Sequence, residues 1–159
     1  MTQQATDTSV RTEVAVQAPV EQAFQVFTEG IGSWWHPDHH LLQGELESMV
    51  FEPRVGGHIY DRGVDGSECR WARVLAYEPP NRIVFSWDIT SSWQIETDPD
   101  RASEVEVRFT ADGSDRTLVE LEHRNLERHG QGWEGMRDAV ASPGGWGSGL
   151  QRFAAAFGG

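Results

Sequence analysis

The sequence predicts an α+β domain in which a curved antiparallel sheet of about six or seven strands wraps around a long C-terminal helix, with two short helices after the first strand. Three observations lead to this prediction. Apolar residues alternate with period two in seven segments of the 159-residue chain, short turn sequences separate most of these segments, and helical apolar stripes appear only towards the two ends. Short links between strands favour hairpins over parallel units, and the terminal helix is the long apolar element that remains to cover the sheet.

The N-terminal part predicts one strand followed by helical segments. Val10 to Gln17 alternates apolar and polar residues, which is typical of a half-buried strand. Pro19 to Thr28 has apolar residues at helical spacing, and its leading proline suits the first turn of a helix. Gly30 ends that helix. Ile31 to His40 predicts a short helical turn and then a loop, because Pro37 prevents a regular continuation.

Six further segments predict the rest of the sheet. Turn sequences separate four of the neighbouring pairs, at 64–67 (VDGS), 78–81 (EPPN), 98–101 (DPDR) and 111–114 (ADGS). The predicted strands are Leu46 to Glu52, His58 to Arg62, Cys69 to Tyr77, Ile83 to Ile89, Glu104 to Thr110 and Thr117 to Arg124.

The C-terminal segment predicts a helix that is interrupted once. It begins around Trp133, and the sequence SPGG at 142–145 breaks it. Its second part has an apolar stripe with spacing i, i+4, i+7, i+11, formed by Trp146, Leu150, Phe153 and Phe157. Where the curved sheet is larger than this helix can cover, we expect a cavity.

Composition and charge narrow the function classes. The chain has 13 Arg, no Lys and 25 acidic residues, so its net charge of −12 disfavours nucleic acid as a partner. No segment approaches the roughly 18 apolar residues of a membrane span, and the polar stretch from Met1 to Ser9 does not resemble a secretory signal. We expect this stretch to be disordered, residues 10–157 to form a single domain, and the protein, with its single Cys69, to be cytoplasmic.

Aromatic residues are unusually abundant. The chain has seven Trp and seven Phe but two Tyr. Such side chains each bury about 150–250 Å², so they dominate whatever they pack against. Two interpretations stay open at this point, a tryptophan-rich core and a pocket lined with rings.

Several sequence pieces, in order, resemble the START-like, Bet v 1-like helix-grip superfamily (SRPBCC), and within it the branch named for the activator of the heat-shock-protein-90 ATPase. The pieces are 18–24 (APVEQAF), 34–35 (WW), 54–60 (RVGGHIY), 73–74 (RV), 78–87 (EPPNRIVFSW), 117–123 (TLVELEH) and 145–150 (GWGSGL). The resemblance covers roughly residues 10–157 and implies a helix-grip fold. It leaves function open, because this superfamily contains lipid carriers, plant defence proteins, ring-forming enzymes and chaperone activators.

A set of side chains is predicted to face the space between sheet and helix. His123 shares a strand face with Val119 and Leu121, and Trp87 and Trp146 are the rings best placed to touch both core and ligand. The resemblance also places the loop after Trp34 at a cavity mouth. The predicted ligand-binding residues are Trp34, Trp35, His36, Phe51, His58, Tyr60, Phe85, Trp87, Phe109, His123, Trp146 and Leu150.

Metal, phosphate and nucleophile motifs are weak. His36, Asp38, His39 and His40 have ligand chemistry, but their spacing matches no standard site and favours a solvated loop. The pair at 56–57 (GG) precedes a strand rather than a helix, which favours a tight turn over a phosphate loop. We therefore expect neither a metal nor another cofactor.

Three functions remain open. The leading prediction is the binding of a small hydrophobic molecule, aromatic or lipid-like, in the cavity, with neither nucleic acid nor membrane as a partner. The alternative is a cavity enzyme of the polyketide cyclase, dehydratase or hydrolase type, for which His123, His58, Tyr60 and Asp61 are the candidate groups. A chaperone activator is less favoured, since only a short polar segment precedes the first strand. The oligomeric state stays open, with a homodimer as one option.

Overall fold

The computed structural model of the chain describes residues 9–35, 44–90, 92–142 and 145–157, and within these ranges seven strands form one antiparallel sheet. Short 3₁₀ turns lie at Ile31–Ser33, Pro99–Arg101 and Leu126–His129. The longer elements are β1 (Val10–Val16), α1 (Val20–Thr28), β2 (Leu46–Phe51), β3 (His58–Gly63), β4 (Glu68–Glu78), β5 (Arg82–Trp87), β6 (Ser103–Ala111), β7 (Thr117–Arg124), α2 (Trp133–Ala141) and α3 (Trp146–Ala155).

The sheet is a meander that β1 extends at one edge. Its strand order is β1-β7-β6-β5-β4-β3-β2, and every neighbouring pair is antiparallel. All seven predicted strands are present and differ from the prediction only at their ends. The α+β helix-grip fold class is confirmed. The first and last strands pair in register from Val10 with His123 to Val16 with Thr117, which brings His123 to the end of the sheet where β1 begins.

The inward rows of the sheet follow the predicted alternation. Each of these side chains is at most 6% exposed: Ile83, Phe85 and Trp87 on β5, Val105, Val107 and Phe109 on β6, and Thr117, Val119, Leu121 and His123 on β7. The alternating pattern of these three strands therefore determined which side chains form the core.

The outer face of the same strands contains a buried carboxylate. Glu106 is only 3% exposed, and Arg82, Arg108 and Arg124 surround its carboxylate with ion pairs. Arg124 also pairs with Glu104 at 3.2 Å. A buried carboxylate is stable only when it is paired, and here three guanidinium groups pair with it.

The predicted interruption of the terminal helix is confirmed. Two consecutive helices, α2 with nine residues and α3 with ten, replace one continuous helix. A Cβ atom on Gly145 would lie 2.2 Å from the carbonyl oxygen of Val140, so the chain needs glycine where α3 starts against the end of α2. Within the described ranges, no helix has the length and apolar character needed to cross a membrane.

Candidate ligand-binding site

Two aromatic clusters occupy the interior between the sheet and the helices. We call the first the phenylalanine cluster; it contains Phe24, Phe27, Trp34, Phe109 and Phe153. We call the second the indole cluster; it contains Trp35, Trp71, Trp87, His123 and Trp146. The two clusters touch where the ring of Trp34 lies 5.5 Å from that of Trp35.

The phenylalanine cluster is a conventional apolar core. The ring of Phe27 lies 4.8 Å from Trp34, 5.5 Å from Phe109 and 5.2 Å from Phe153, and all four side chains are at most 2% exposed. The one polar hydrogen of this group, on Nε1 of Trp34, is donated to the carbonyl oxygen of Val26 at 3.2 Å. Edge-to-face contacts between these rings stabilise the fold. Because the one N–H of the cluster already has an acceptor, the cluster offers no free hydrogen-bonding group to a ligand.

The indole cluster joins the sheet to α3. Trp87 lies 5.6 Å from Trp71 and 5.5 Å from Trp146, and the ring of His123 is 5.2 Å away. Trp35 is half-buried and lies between the two layers, 5.3 Å from Trp71 on β4 and 5.6 Å from Trp146 on α3. Trp87 and Trp146 contact the buried imidazole of His123 directly, and Trp35 and Trp71 complete the cluster.

A chain of hydrogen bonds runs through this end of the interior; we call it the imidazole relay. Nε1 of Trp146 donates to Nδ1 of His123 at 3.0 Å. Nε2 of His123 lies 2.7 Å from Oγ of Ser103, and the same hydroxyl lies 2.7 Å from Nε2 of His129. All four residues are at most 4% exposed. The relay connects α3, two strands and the 3₁₀ turn after β7.

Burial keeps both imidazoles neutral. Loss of hydration lowers the pKa of His123 to about 3, and the nearby His129 lowers this pKa further. The pKa of His129 is also lowered, again chiefly by burial. His123 is therefore a hydrogen-bonding group and a poor proton acceptor at neutral pH, which argues against its candidate role as a general base.

Two buried nitrogen atoms in this region have no hydrogen-bond partner among the described residues. They are Nε1 of Trp87 and Nδ1 of His129. Their residues are 6% and 3% exposed. Buried polar atoms are paired in the great majority of cases, so each exception calls for an explanation.

The predicted site residues separate into groups. Trp35, Trp87, His123 and Trp146 come together in the indole cluster, and Phe85 borders it, with its ring 6.2 Å from Trp71. Leu150 is buried one helical turn after Trp146. Trp34 and Phe109 lie in the phenylalanine cluster, and Phe51 packs on Tyr77 with 6.5 Å between rings.

Two predicted residues face the wrong side of the sheet for this site. Ile59 and Asp61 are the inward residues of β3, at 0% and 1% exposed. His58 and Tyr60 alternate with them and lie on the outer face, where Tyr60 packs beneath the guanidinium groups of Arg62 and Arg70. The expectation that His58 and Tyr60 line the interior is therefore wrong, because a period of two separates them from the inward row.

Three residues of the site were missed by the sequence reasoning. Ser103 continues the inward row of Val105, Val107 and Phe109 on β6, so the alternation, extended by one step, would have found it. Trp71 lies at a register shift of β4, where the simple period fails. His129 lies in a 3₁₀ turn whose sequence gives no signal of an inward side chain.

The remaining candidates from the sequence concern metal ligands, a phosphate loop and a nucleophile. The described part of the chain holds no group of three His, Cys, Asp or Glu side chains that could bind a metal. His36, Asp38, His39 and His40 lie outside the described residues. Gly56 has a φ of +87°, which agrees with a tight turn, and burial raises the pKa of the Cys69 thiol, which makes it less reactive.

The sequence matches a known family over most of its length. Residues 17–158 match the family described as Activator of Hsp90 ATPase homolog 1-like protein. The chain belongs to this family. The branch of the helix-grip superfamily that the sequence pieces resemble is thereby confirmed, while among curated proteins no significant match was found.

Solved structures similar to this family member include proteins of different activities. An anthrahydroquino-γ-pyrone synthase, Txn09, complexed with SUM, is 44% identical, with a TM-score of 0.66 and coverage of 92% of this chain and 95% of that one. CalC from Micromonospora echinospora, a self-sacrificing resistance protein, is 27% identical, with a TM-score of 0.67 and coverage of 95% and 94%. The Aha1 dimer from Colwellia psychrerythraea, at 15% identity, a TM-score of 0.60 and coverage of 94% and 95%, shares the fold.

Proposed function

We propose that this protein binds a planar polycyclic aromatic molecule of polyketide type between the sheet and the C-terminal helices, and closes an oxygen-containing ring on it. The observation that supports this most directly is the 44% identity, over 92% of the chain, with an anthrahydroquino-γ-pyrone synthase. The proposal joins the two leading predictions from the sequence, an aromatic ligand and an enzyme of the cyclase type.

The indole cluster supports the binding half of this proposal. Four indole rings present flat apolar faces, and an offset or edge-to-face contact between aromatic rings contributes about 0.5–1.5 kcal/mol beyond burial. Trp35 is the half-buried member and connects β4 to α3 through Trp71 and Trp146. We infer that the Trp35 side chain moves aside to admit the ligand, since its displacement separates the two layers with the least loss of buried surface.

Ring closure of this kind requires neither a co-reactant nor a strong base. In the simplest route to a fused γ-pyrone, a phenol oxygen adds to the β-carbon of a neighbouring alkynyl ketone. A C–O bond forms, one C–C π bond breaks, and the phenol proton ends on the α-carbon, so the product is an isomer of the substrate and no co-reactant is needed. Positioning and hydrogen bonds to the ketone oxygen are the main contributions that such a site makes.

The test uses 1-hydroxy-2-(but-2-ynoyl)-9,10-anthraquinone as the probe. We expect the protein to accelerate its conversion into the fused γ-pyrone by about 100-fold or more, because removing alignment and one oxyanion contact each changes rates by factors of this order. Chromatography with absorbance detection separates the isomers, and mass spectrometry checks that the mass is unchanged. Trp35→Ala should weaken binding of the probe.

The matched control is Trp93→Ala, which removes an indole that is 46% exposed and belongs to neither cluster. It should leave the rate unchanged. A conversion rate equal to that of heat-denatured protein, or equal effects of the two substitutions, would count against ring closure.

A second candidate is sequestration of such a molecule without a reaction. It is favoured by the likeness to CalC, which is described as a self-sacrificing resistance protein, and by the low pKa of His123, which removes the most buried candidate base. Saturable quenching of tryptophan emission by the probe without isomerisation would support this candidate. Chaperone activation, the homodimer and the cytoplasmic location stay predictions from the sequence, since the Aha1 likeness at 15% identity bears on the fold alone.

A further inference from the structure

The imidazole relay has one consistent direction, because an indole N–H only donates hydrogen bonds. Nε1 of Trp146 donates to Nδ1 of His123, so that nitrogen is unprotonated and the proton of the neutral ring lies on Nε2. His123 Nε2 therefore donates to Oγ of Ser103. The hydroxyl of Ser103 in turn donates to Nε2 of His129. The proton of the neutral His129 ring is thus on Nδ1.

The opposite direction of the hydrogen bond between Ser103 and His129 is less favourable. If His129 Nε2 donated to Ser103, the hydroxyl hydrogen of Ser103 would find no acceptor in the hydrogen bonds of the described residues. His129 would then also keep an unprotonated, unpaired Nδ1. The relay therefore selects the tautomer of His129 in which Nδ1 carries the hydrogen.

The two unpaired donors lie at the same end of the sheet. Trp87 on β5 pairs directly with Ser103 on β6, so their side chains are neighbours on the inward face. Ser103 also contacts His129 at 2.7 Å. Trp87 and His129 therefore both neighbour Ser103, and neither the N–H of Trp87 nor that on Nδ1 of His129 has an acceptor among the described residues.

The nearby carboxylates are engaged elsewhere. Asp88 accepts two hydrogen bonds from Arg73, at 3.0 and 3.1 Å. Glu96 lies 3.6 Å from the guanidinium of Arg101. Asp88 and Glu96 are the two carboxylates that act electrostatically on His129, and each is paired with an arginine. Among the described residues, no acceptor pairs with Nε1 of Trp87 or with Nδ1 of His129.

We propose that Nε1 of Trp87 and Nδ1 of His129 together bind a carbonyl oxygen of the ligand, and that Trp146, His123 and Ser103 are positioning residues that hold His129 as a donor. This inference rests on the proposed function and adds the chemical class of the ligand, a polycyclic ketone or quinone. In ring closure the same pair receives the ketone oxygen on which negative charge develops as the C–O bond forms.

Binding of two matched probes tests the donor pair. 2-(Hydroxymethyl)anthraquinone and 2-(hydroxymethyl)anthracene have the same tricyclic frame and differ in two carbonyl oxygens. We expect the wild-type protein to bind the anthraquinone about tenfold more tightly, because each hydrogen bond to a buried donor contributes a factor of roughly two to ten. Trp87→Phe, which keeps a ring and removes the N–H, should reduce this ratio about fivefold.

The control is Trp34→Phe, in which the N–H that is removed is already paired with Val26. It should leave the ratio of the two affinities unchanged. An unchanged ratio in Trp87→Phe, or equal affinity of both probes for the wild-type protein, would overturn the inference while leaving ring binding intact. If neither probe bound, the proposed function itself would fail.

The tautomer of His129 is measured without any ligand. In ¹⁵N-histidine-labelled protein, long-range ¹H–¹⁵N correlation spectra distinguish the protonated from the unprotonated nitrogen of a neutral ring. We expect His123 protonated on Nε2 and His129 protonated on Nδ1, and in Ser103→Ala we expect His129 to lose this preference together with the preference for the anthraquinone. A proton on Nε2 of His129 in the wild-type protein would overturn the relay.

Discussion

The phenylalanine cluster and the indole cluster contain rings at similar separations, but they treat polar groups differently. In the phenylalanine cluster the one indole N–H, that of Trp34, is bonded to the backbone carbonyl of Val26, and no titratable side chain is present. In the indole cluster and the relay beside it, two imidazoles are buried, and two hydrogens, on Trp87 and His129, lack acceptors among the described residues.

This difference supports the proposal that the two ends of the interior have different tasks. A fully paired apolar cluster contributes stability, because ring burial and edge-to-face contacts are favourable and nothing opposes them. An unpaired buried donor costs about 1–3 kcal/mol, so its presence calls for an explanation, of which a functional role is one. Functional sites are the places where proteins give up stability in this way.

The largest expected effect concerns the phenylalanine cluster. Phe27→Ala should lower the free energy of unfolding by about 3–5 kcal/mol, since Phe27 is 1% exposed and contacts three other rings. Urea denaturation followed by tryptophan emission measures this change. Val55→Ala, at a side chain that is 64% exposed, is the control and should change the free energy by less than about 0.5 kcal/mol. A loss below about 1 kcal/mol for Phe27→Ala would contradict the assignment of this cluster as the core.

The second effect is the pH dependence of stability that comes from His123 in the indole cluster. The folded pKa of His123 is about 3, below the ordinary value of 6.5, so as pH falls below 6.5 the unfolded state takes up a proton that the folded state does not. This contribution to stability is present above pH 6.5 and is lost as pH falls towards 3. At pH 5 it lowers the free energy of unfolding by about 2 kcal/mol relative to pH 8.

The comparison with His123→Gln isolates this contribution from that of the carboxylates. Glutamine keeps one acceptor and one donor but does not titrate in this range. The pH dependence of unfolding should therefore be shallower in the variant by about one proton between pH 5.5 and pH 3.5. Identical slopes in the two proteins would show that His123 is not buried as a neutral ring.

The smallest expected effect is a difference in stability between two Trp→Phe variants, and it tests the comparison of the two clusters most directly. Trp34→Phe removes a paired N–H, leaves the carbonyl of Val26 without that donor, and should lower the free energy of unfolding by about 1 kcal/mol beyond the loss caused by the smaller ring. Trp87→Phe removes the same ring volume but an N–H that has no partner among the described residues, so it should lower the free energy of unfolding by about 1 kcal/mol less than Trp34→Phe does. Chemical denaturation of both variants measures the two changes. Equal losses in both would mean that the Trp87 N–H has a partner in solution.

The sequence was most informative where one period governed a whole strand. The inward rows of β5, β6 and β7 followed from alternation, and His123 was found because Val119 and Leu121 fixed the face of β7. The same rule misassigned His58 and Tyr60, since nothing in a six-residue strand with polar residues in both rows says which row is buried. Here the side chains of Ile59 and Asp61 point inward, and an aspartate is seldom found on the buried face of a strand.

By itself, the sequence determined the order of the elements, the inward faces of β5, β6 and β7, the break between α2 and α3, and the family. Each of these depends on local periodicity, turn residues or short motifs. Only the tertiary structure decided which rings meet and which polar groups are paired. The relay joins residues 103, 123, 129 and 146, which are separated along the chain, and its direction depends on hydrogen-bond geometry that no local pattern encodes. The two unpaired donors on Trp87 and His129 arise from that same non-local packing.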